Sequence, residues 1–316
     1  MTKTVAITGI NSYFAATLLP KLEADPDVGT ILGIDINPAA PRLNTFTKLR
    51  FCREDIRSEN LAVCLNNADT VYHMAFIVGE IRDKKKTRDI NVNGTRNVLA
   101  ACRTAKVRKL IYTSSATVYG SHPDTPVGLT ENCPLCKNPE SYYNSSKIEG
   151  EQMLARFAEE NPDRVVTVLR AGLLLGPQAD NMFTRLFALP ISALPMGSLA
   201  HNQYIHEDDL AEALYLAFAK DLPGFYNVAA DDAMAIRKAF RRAGVAILRV
   251  PFWLLRPLAT MGFYIGLFPA GGGWVSLCRH TIFMNCDKFK TAAGWGPRYT
   301  SEQTFEGFLE SRKKQT

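Results

Sequence analysis

The stretch TVAITGINSYFAATLLPKL, residues 4–22, decides the predicted fold of this chain. It begins as a short apolar run that is typical of a buried strand, and it ends with apolar residues at helical spacing. Between the two, Gly9, Ser12 and Ala15 are small residues that allow the backbone to approach a ligand closely. A strand, a tight turn and a helix in this order predict a phosphate-binding turn at the helix N-terminus.

The next predicted strand, residues 30–35, ends in Asp35, an acid about 20 residues beyond the turn. In a dinucleotide-binding fold an acid at this place bonds the adenine ribose hydroxyls and repels a 2′-phosphate, which favours NAD over NADP. A solvated Asp at a strand end is the ordinary alternative, but its combination with the turn favours the dinucleotide site. Arg42 lies a few residues further on and leaves NADP open as a cofactor.

Strands and helices continue to alternate, with further strands at 49–52 and 69–73 and a helical pattern at 88–105. This alternation predicts an α/β fold, a Rossmann-type doubly wound parallel sheet with a smaller C-terminal substrate lobe. Ligands of such sheets bind at the carboxyl ends of the strands. The residues that the pattern puts at those ends are Gly9, Asp35, Asp55, Met74 and Ser115.

A second motif combines hydroxyl and amine groups. Ser115 ends an apolar strand, and Tyr143 and Lys147 follow after a loop. In a helix these two residues lie on one face about one turn apart, a spacing that surface helices also show by chance. An ammonium near a phenol favours the phenolate, so we expect the pKa of Tyr143 to fall from about 10 towards working pH. Such a phenol can exchange a proton with a substrate oxygen that Ser115 holds.

The chain has 316 residues and a net charge of +6, and 47% of it is hydrophobic. These values are ordinary for a globular enzyme, and the absence of a dense basic stripe argues against a nucleic-acid partner. Seven cysteines without framework spacing, and no signal peptide before the first strand, predict reduced thiols and a cytoplasmic location. Cys133 and Cys136 form a C-x-x-C pair with only His122 nearby, so we expect no metal site.

The chain resembles the extended short-chain dehydrogenase/reductases of the NAD-dependent epimerase/dehydratase family over nearly its whole length. The resemblance implies a catalytic set of Ser115, Tyr143 and Lys147, with Tyr143 as acid/base and Lys147 also holding the nicotinamide ribose. It further implies a homodimer through the helices that begin near Arg88 and Tyr143. The motifs that carry it are Ser114-Ser-Ala-Thr-Val-Tyr-Gly120, Tyr143-x-x-x-Lys147, Asn91-Val-Asn-Gly-Thr95, Leu169-Arg-Ala-Gly, Gly176-Pro177, Tyr204-Ile-His-Glu-Asp-Asp-Leu210 and Gly294-Trp-Gly-Pro297.

Candidate cofactor contacts come from the turn, the strand ends and the resemblance. Asp55 and Ile56 could flank the adenine, and Asn91 could hold a water or the backbone near the active site. The resemblance implies that the turn residues cradle the pyrophosphate. The full predicted set is Gly9, Asn11, Ser12, Tyr13, Phe14, Asp35, Asp55, Ile56, Met74, Ala75, Asn91, Thr113, Tyr143, Lys147 and Arg170.

Two departures from the resembled nucleotide-sugar epimerases concern the substrate. Those enzymes carry Asn where this chain has Leu173 and Arg where it has Asn202, and the two polar groups hold sugar and diphosphate. Their replacement predicts a different and less charged substrate, with Thr117 as a further contact. Dehydratases of the family carry an Asp-Glu pair just after the Ser, and this chain has Thr117 and Val118 there, which argues against a dehydratase.

The segment 246–278 is strongly apolar, and it has no charge from Pro257 onwards over about the 20 residues that a spanning helix needs. Pro269 and the glycines at 271–273 would break a helix, so we prefer a lid or wall over an apolar pocket to a membrane span. A helix on a bilayer surface and a subunit contact are the alternatives. We expect an NAD-binding domain at 1–172 and 204–230 and a substrate-binding lobe at 173–203 and 231–316.

We therefore predict an NAD-dependent oxidoreductase or epimerase of the extended short-chain dehydrogenase type, which moves hydride at a carbinol or carbonyl carbon of a small-molecule substrate. The three catalytic candidates do not decide whether hydride leaves for good or returns to the other face, so a nucleotide-sugar 4-epimerase is an alternative. A non-catalytic NAD(P)-binding sensor or scaffold is the alternative outside enzymes, because fold does not fix function.

Overall fold

The computed structural model describes residues 2–79, 82–268 and 271–314. Pro269, which entered the prediction for the apolar segment, lies outside these residues. The strands are β1 (Lys3–Thr8), β2 (Val28–Asp35), β3 (Leu49–Arg53), β4 (Thr70–His73), β5 (Lys109–Ser115), β6 (Val127–Leu129), β7 (Val165–Ala171), β8 (Leu173–Leu175), β9 (Ile191–Pro195), β10 (His201–Asn202), β11 (Tyr204–His206), β12 (Gly224–Val228), β13 (Met234–Ala235), β14 (Ala246–Val250) and β15 (Phe283–Met284).

The helices alternate with these strands in the first half of the chain and then cluster towards the C-terminus. They are α1 (Tyr13–Ala24), α2 (Leu61–Cys64), α3 (Lys84–Arg88), α4 (Gly94–Thr104), α5 (Tyr142–Glu160), α6 (Met182–Leu186), α7 (Glu207–Ala219), α8 (Ile236–Arg242), α9 (Phe252–Tyr264), α10 (Gly272–Leu277), α11 (Asp287–Ala293) and α12 (Ser301–Lys313).

A seven-stranded sheet in the order β12-β7-β5-β4-β1-β2-β3 organises the molecule. All of its strand pairs are parallel. The predicted Rossmann-type sheet is therefore confirmed. The strand order reverses beside β1, and the turn after β1 stands at that reversal, where such sheets bind ligands.

The sheet is buried on both faces, as a doubly wound sheet must be. Along β1, Val5 and Ile7 belong to one core with α1 and α7, and Ala6 between them belongs to the other core with α2, α4 and α5. This split follows from the alternation of side chains across a strand. Helices therefore cover the two faces and leave the carboxyl edge of the sheet for the site.

A separate aromatic core forms the C-terminal lobe. The ring of Phe187 lies 4.9 Å from that of Phe240 and 5.0 Å from that of Phe305, between centroids. Short strand pairs, β9 with β14 and β10 with β13, frame this core, and α12 contributes Phe305 and Phe308 to it. The lobe agrees with the predicted architecture, and the exact domain boundaries stay a prediction.

The apolar segment 246–278 folds into β14, α9 and α10 rather than one long helix. Among the described residues, no helix combines the length and the apolar character needed to cross a bilayer. Helix α10 contributes to a cavity wall, as the lid or wall prediction expected, and the outer face of α9 is exposed.

The prediction of reduced thiols is wrong for one pair. Cys52 on β3 and Cys64 on α2 form a disulfide, with their Cα atoms 6.7 Å apart. Both side chains pack against the core that α2 shares with the sheet, so the fold brings together two cysteines whose spacing showed no framework. The other cysteines, Cys102, Cys133, Cys136, Cys278 and Cys286, are free.

Candidate active site

Ser115 and Tyr143 meet at the carboxyl end of β5. Ser115 is the last residue of that strand, and its hydroxyl accepts hydrogen bonds from the Thr117 backbone at 3.2 Å and the Thr117 hydroxyl at 3.1 Å. Helix α5 is capped by Ser141, which accepts from the Asn144 N–H at 3.2 Å, so Tyr143 falls in the first turn. The Ser115 hydroxyl lies beside the phenol of Tyr143 and acts to lower its pKa.

Lys147 lies one turn further along α5, enclosed by aromatic rings. Its Nζ donates to the Thr113 carbonyl oxygen at 2.6 Å. The same nitrogen stands 3.7 Å from the ring centre of Phe76 and 4.6 Å from that of Tyr112. Burial lowers the pKa of Lys147 to about 7, although the carboxylate of Glu151 acts to raise it. This amine can therefore change its charge near neutral pH.

The pKa of Tyr143 differs from the prediction. Burial raises it to about 12, and the neighbouring Ser115 hydroxyl only partly offsets this rise. The physical reason is the position of Lys147, whose Nζ is turned towards Thr113 and lies 5.9 Å from the centre of the Tyr143 ring. In this arrangement Tyr143 is a neutral phenol at pH 7, able to donate a proton.

A cavity of about 470 Å³ opens above this group. The ring of Tyr143 stacks on Trp274 at 5.4 Å between centroids, and Phe183 meets Trp274 edge-on at 5.1 Å. The cavity reaches from the turn residues at 12–14 to the C-terminal lobe. The predicted substrate residues Leu173, Asn202 and Thr117 all line it.

Two amides of the cavity wall are engaged by the protein itself, whereas the buried Nε2 of His280 in the same wall has no hydrogen-bond partner among the described residues. The amide of Gln203 donates to the carbonyl oxygens of Ala230 and Met284 and accepts from the Met284 N–H. Asn202 donates to the Tyr204 hydroxyl at 3.3 Å. Arg185 is the cationic side chain among the lining residues, and its side chain is 67% exposed beside Asp180. The wall next to Tyr143 combines the hydroxyls of Ser115 and Thr117 with the aromatic ring of Trp274.

The turn after β1 fits a dinucleotide phosphate. Gly9 has φ +74°, and a Cβ there would lie 2.6 Å from the backbone nitrogen of Ala75. The predicted contacts Met74 and Ala75 are thus in direct contact with the turn. Ser12 caps α1 by accepting from the Ala15 N–H at 3.2 Å, which leaves the helix N-terminus facing the site.

Acidic and basic groups surround this turn. Asp35 accepts from the backbone N–H of Asn11 at 3.2 Å, at the place expected for an acid that binds ribose. Arg42 donates to the carbonyl oxygens of Asn11 and Ser12. The Tyr13 hydroxyl donates to Glu207 on α7, a bond that raises the pKa of Tyr13 together with its burial. Phe14 lines the cavity beside Tyr13.

The remaining predicted cofactor residues hold the surrounding backbone or each other. Asn91 lies in a π-helical turn at 89–93 and exchanges two hydrogen bonds with the backbone of Ile77, at 2.8 and 3.0 Å. Asp55 is paired with Arg57 at 2.6 Å, and Ile56 is buried against α4. Thr113 is buried at the end of β5 and offers its carbonyl oxygen to Lys147.

The side chain of Arg170 is engaged by other residues of the protein. It is buried, and its guanidinium forms a two-pronged ion pair with Glu151, with contacts of 2.7 and 3.1 Å. It also donates to the Tyr119 hydroxyl at 2.8 Å. All these partners belong to the protein, so the geometry gives the predicted cofactor contact of Arg170 no support.

Several residues that shape the site were missed from the sequence. Glu151 could have been found, because Tyr143, Lys147 and Glu151 recur every four residues on one face of α5. Phe76 and Trp274 carried no such pattern. They reach the site through tertiary packing, Trp274 from a position 131 residues beyond Tyr143 in the chain.

Comparison with known proteins places the chain in a family. The family described as "NAD dependent epimerase/dehydratase family" matches residues 5–229, and the chain belongs to it. The predicted family, and with it NAD as cofactor, is confirmed. The C-terminal part, including α9 and α10, lies beyond the matched residues.

Similar proteins with curated descriptions extend this comparison. An uncharacterized protein of Mycobacterium tuberculosis is 28% identical over 319 aligned residues, covering 98% of this chain and 84% of that protein. A 2-alkyl-3-oxoalkanoate reductase of Shewanella oneidensis is 28% identical over 167 residues, covering 51% of this chain and 41% of the reductase. Among solved structures, MoeE5 in complex with UDP-glucuronic acid and NAD superposes with a TM-score of 0.79 at 20% identity, covering 99% and 100% of the two chains. This last likeness concerns the fold.

Proposed function

We propose that this protein is an NAD-dependent oxidoreductase that transfers hydride at a carbinol or carbonyl carbon of an apolar substrate. The observation that carries the proposal is that Ser115 and Tyr143 line one end of the aromatic cavity, with the buried amine of Lys147 5.9 Å from the ring centre of Tyr143. A hydroxyl, a phenol and an amine at this edge of a parallel sheet are the groups that proton transfer to a carbonyl oxygen requires.

The turn and strand ends would hold the cofactor, and bound NAD supplies the hydride chemistry. The amide groups at the start of α1 would bind the pyrophosphate, because a helix N-terminus suits an anion. Asp35 would bind the adenine ribose. Lys147 would bind the nicotinamide ribose in its charged form, and its pKa of about 7 lets it gain or lose that charge at little cost.

Tyr143 would act as the acid in the direction of reduction. Its pKa is raised to about 12, so the phenol is protonated at neutral pH and can give its proton to a substrate oxygen. Ser115 would hold that oxygen, since its hydroxyl lies beside the phenol. In the direction of oxidation, movement of the Lys147 ammonium towards the phenol would favour the phenolate.

An apolar substrate is supported by the cavity and by a relative. The rings of Trp274 and Phe76 pack against Tyr143, and Phe183 packs against Trp274. The amides of Gln203 and Asn202 are engaged by the protein. A diphosphate-linked sugar would need cationic partners, and Arg185 is the one cation among the described lining residues. The Shewanella relative is named for reduction of a 2-alkyl-3-oxoalkanoate, a ketone on an alkyl chain that ends in a carboxylate.

A paired screen tests this assignment. The purified protein with NAD would be offered secondary alcohols with long alkyl or fused-ring bodies, and separately UDP-sugars, while NADH absorbance and sugar composition are followed. We expect NADH to form with the apolar alcohols only. Interconversion of UDP-sugars would instead support the 4-epimerase alternative, and tight NAD binding without turnover in either panel would support the sensor or scaffold. The predicted homodimer and cytoplasmic location stay predictions.

A further inference from the structure

The outer face of α9 is apolar and exposed. The indole of Trp253 is 76% exposed, and Ile265 just beyond the helix is 63% exposed. Exposed apolar patches of this kind mark contacts with a partner or a membrane. We define the α9 face by its exposed residues, Trp253, Leu258, Met261, Ile265, Leu267 and Phe268.

The charged residues in the sequence segment that contains α9 have one sign. Between Asp232 and Asp287 the sequence contains no Asp or Glu, whereas it contains seven Lys and Arg residues. Arg249 is exposed on β14 just before α9. The guanidinium of Arg279 stands 4.1 Å from the ring centre of Phe252, in the first turn of the helix.

Cations from another part of the chain stand at the far end of α9. The ammonium of Lys84 lies 5.7 Å from the ring centre of Tyr264, the last residue of the helix. A Cβ built on Gly266 would lie 3.0 Å from a guanidinium nitrogen of Arg82. Glu140 is paired with Arg256 on α9 itself, and Asp83 stands between Arg82 and Lys84 in the chain, where its side chain caps α3. Both ends of the apolar face therefore carry positive charge.

We infer that the α9 face binds to an anionic lipid bilayer, with the helix lying in the plane of the membrane surface. Aromatic and aliphatic residues flanked by Lys and Arg are the pattern of an interfacial helix, in which apolar burial and attraction to anionic headgroups act together. A second copy of the chain fits less well, because two such faces in contact would bring their net positive charges together.

The position of α9 relative to the site gives this binding a consequence. A smaller cavity of about 260 Å³ lies behind the helix, lined by Phe263 and Tyr264 on one side and by Tyr143 on the other. Docking of the α9 face would thus put the bilayer one helix away from Tyr143. An apolar substrate dissolved in the membrane would have a short path to the site, a consequence that rests on the proposed function.

Vesicle co-sedimentation of the whole protein tests the inference without any substrate. The probes are vesicles of phosphatidylcholine alone and of equal parts phosphatidylcholine and phosphatidylglycerol. We expect binding to the anionic vesicles, weaker binding as salt screens the cations, and little binding to neutral vesicles. Wild-type protein that stays in the supernatant with both vesicles would overturn the inference and leave the proposed function untouched.

Matched variants locate the contact. Trp253→Ala with Ile265→Ala removes two exposed side chains, and we expect roughly a tenfold or greater loss of vesicle affinity. Val63→Ala with Val127→Ala is the control, because these residues are 74% and 78% exposed elsewhere on the surface, and binding should not change. Arg249→Gln should weaken binding to anionic vesicles about fivefold.

Light scattering on the same proteins separates the bilayer from a second copy. We expect the oligomeric state of the Trp253→Ala and Ile265→Ala variant to match that of the wild type. A wild-type dimer that this variant converts to a monomer, together with no vesicle binding, would assign the α9 face to self-association and overturn the inference. Equal vesicle binding by the variant and the wild type would also overturn it.

Discussion

Replacement of Gly9 by alanine perturbs the turn on which the cofactor site depends. Gly9 has φ +74°, a backbone conformation that costs an L-residue about 1–2 kcal/mol. The added Cβ would lie 2.6 Å from the Ala75 nitrogen, 2.7 Å from the Ala75 Cα and 2.9 Å from the Met74 carbonyl carbon. These neighbours are backbone atoms at the end of β4, so no side-chain rotation can relieve the contact.

The magnitude follows from these two effects. Overpacking of this kind costs roughly 1–3 kcal/mol, so with the backbone strain the free energy of unfolding should fall by about 2–5 kcal/mol. With an unfolding entropy of about 2.1 cal/mol/K per residue, a chain of 316 residues would lose roughly 3 to 8 °C in Tm. Because the turn must move to accommodate the methyl group, NAD affinity should fall about tenfold or more.

Thermal unfolding and calorimetric NAD binding measure the two effects on one preparation. Gly307→Ala is the matched control, because Gly307 lies within α12 and a Cβ there meets no atom within 4 Å. That substitution should leave NAD affinity unchanged and raise stability by about 0.5–1 kcal/mol. If Gly9→Ala matched the wild type in both Tm and NAD affinity, the close contact between the turn and β4 would not exist as described.

Further predictions concern the charges beneath the site. Glu151→Gln leaves the buried Arg170 guanidinium without its carboxylate, and the free energy of unfolding should fall by about 3–5 kcal/mol in urea titration. Glu149→Gln breaks only the exposed pair with Arg88 and should cost less than about 1 kcal/mol; equal losses would contradict the buried pair. The pKa of Lys147 is about 7 in the folded protein, far below its ordinary value. At pH values between these two pKa values, the unfolded chain carries a proton on this amine that the folded protein lacks. The buried amine therefore lowers the free energy of unfolding fully below pH 7, and this effect becomes smaller as the pH rises. Relative to Lys147→Met, the free energy of unfolding of the wild type should increase by up to about 1.4 kcal/mol per pH unit above pH 7. A constant difference between wild type and variant from pH 7 to 10 would contradict the lowered pKa.

The fold was predictable because local signals and topology agree. The turn at Gly9 and the acid at Asp35 both sit at strand ends, and a parallel sheet brings all such ends to one edge. Ser115, Tyr143 and Lys147 were recognisable for the same reason, since strand position and helical spacing fix where they lie.

The environment of the site was not predictable to the same degree. The pKa of Tyr143 depends on where the Lys147 side chain points, and that is decided by the Thr113 carbonyl and the Phe76 ring. Arg170 belongs to a motif that predicted a cofactor contact, yet its side chain forms an ion pair with Glu151. The cause is that Glu151 faces Arg170 from a helix across the sheet surface. The disulfide between Cys52 and Cys64 likewise arises from the packing of α2 against the sheet, which the spacing of the two cysteines in the sequence does not predict.

The central claim is that Tyr143 exchanges the proton while hydride is transferred. Its most direct test is the NAD-dependent kcat of Tyr143→Phe against Tyr142→Phe, with the best substrate of the screen. Tyr142 is the matched control, since it precedes Tyr143 on α5 and loses the same hydroxyl. We predict that Tyr143→Phe lowers kcat by about 10²–10⁴-fold with NAD affinity retained, while Tyr142→Phe turns over like the wild type. Wild-type kcat in Tyr143→Phe would contradict the account.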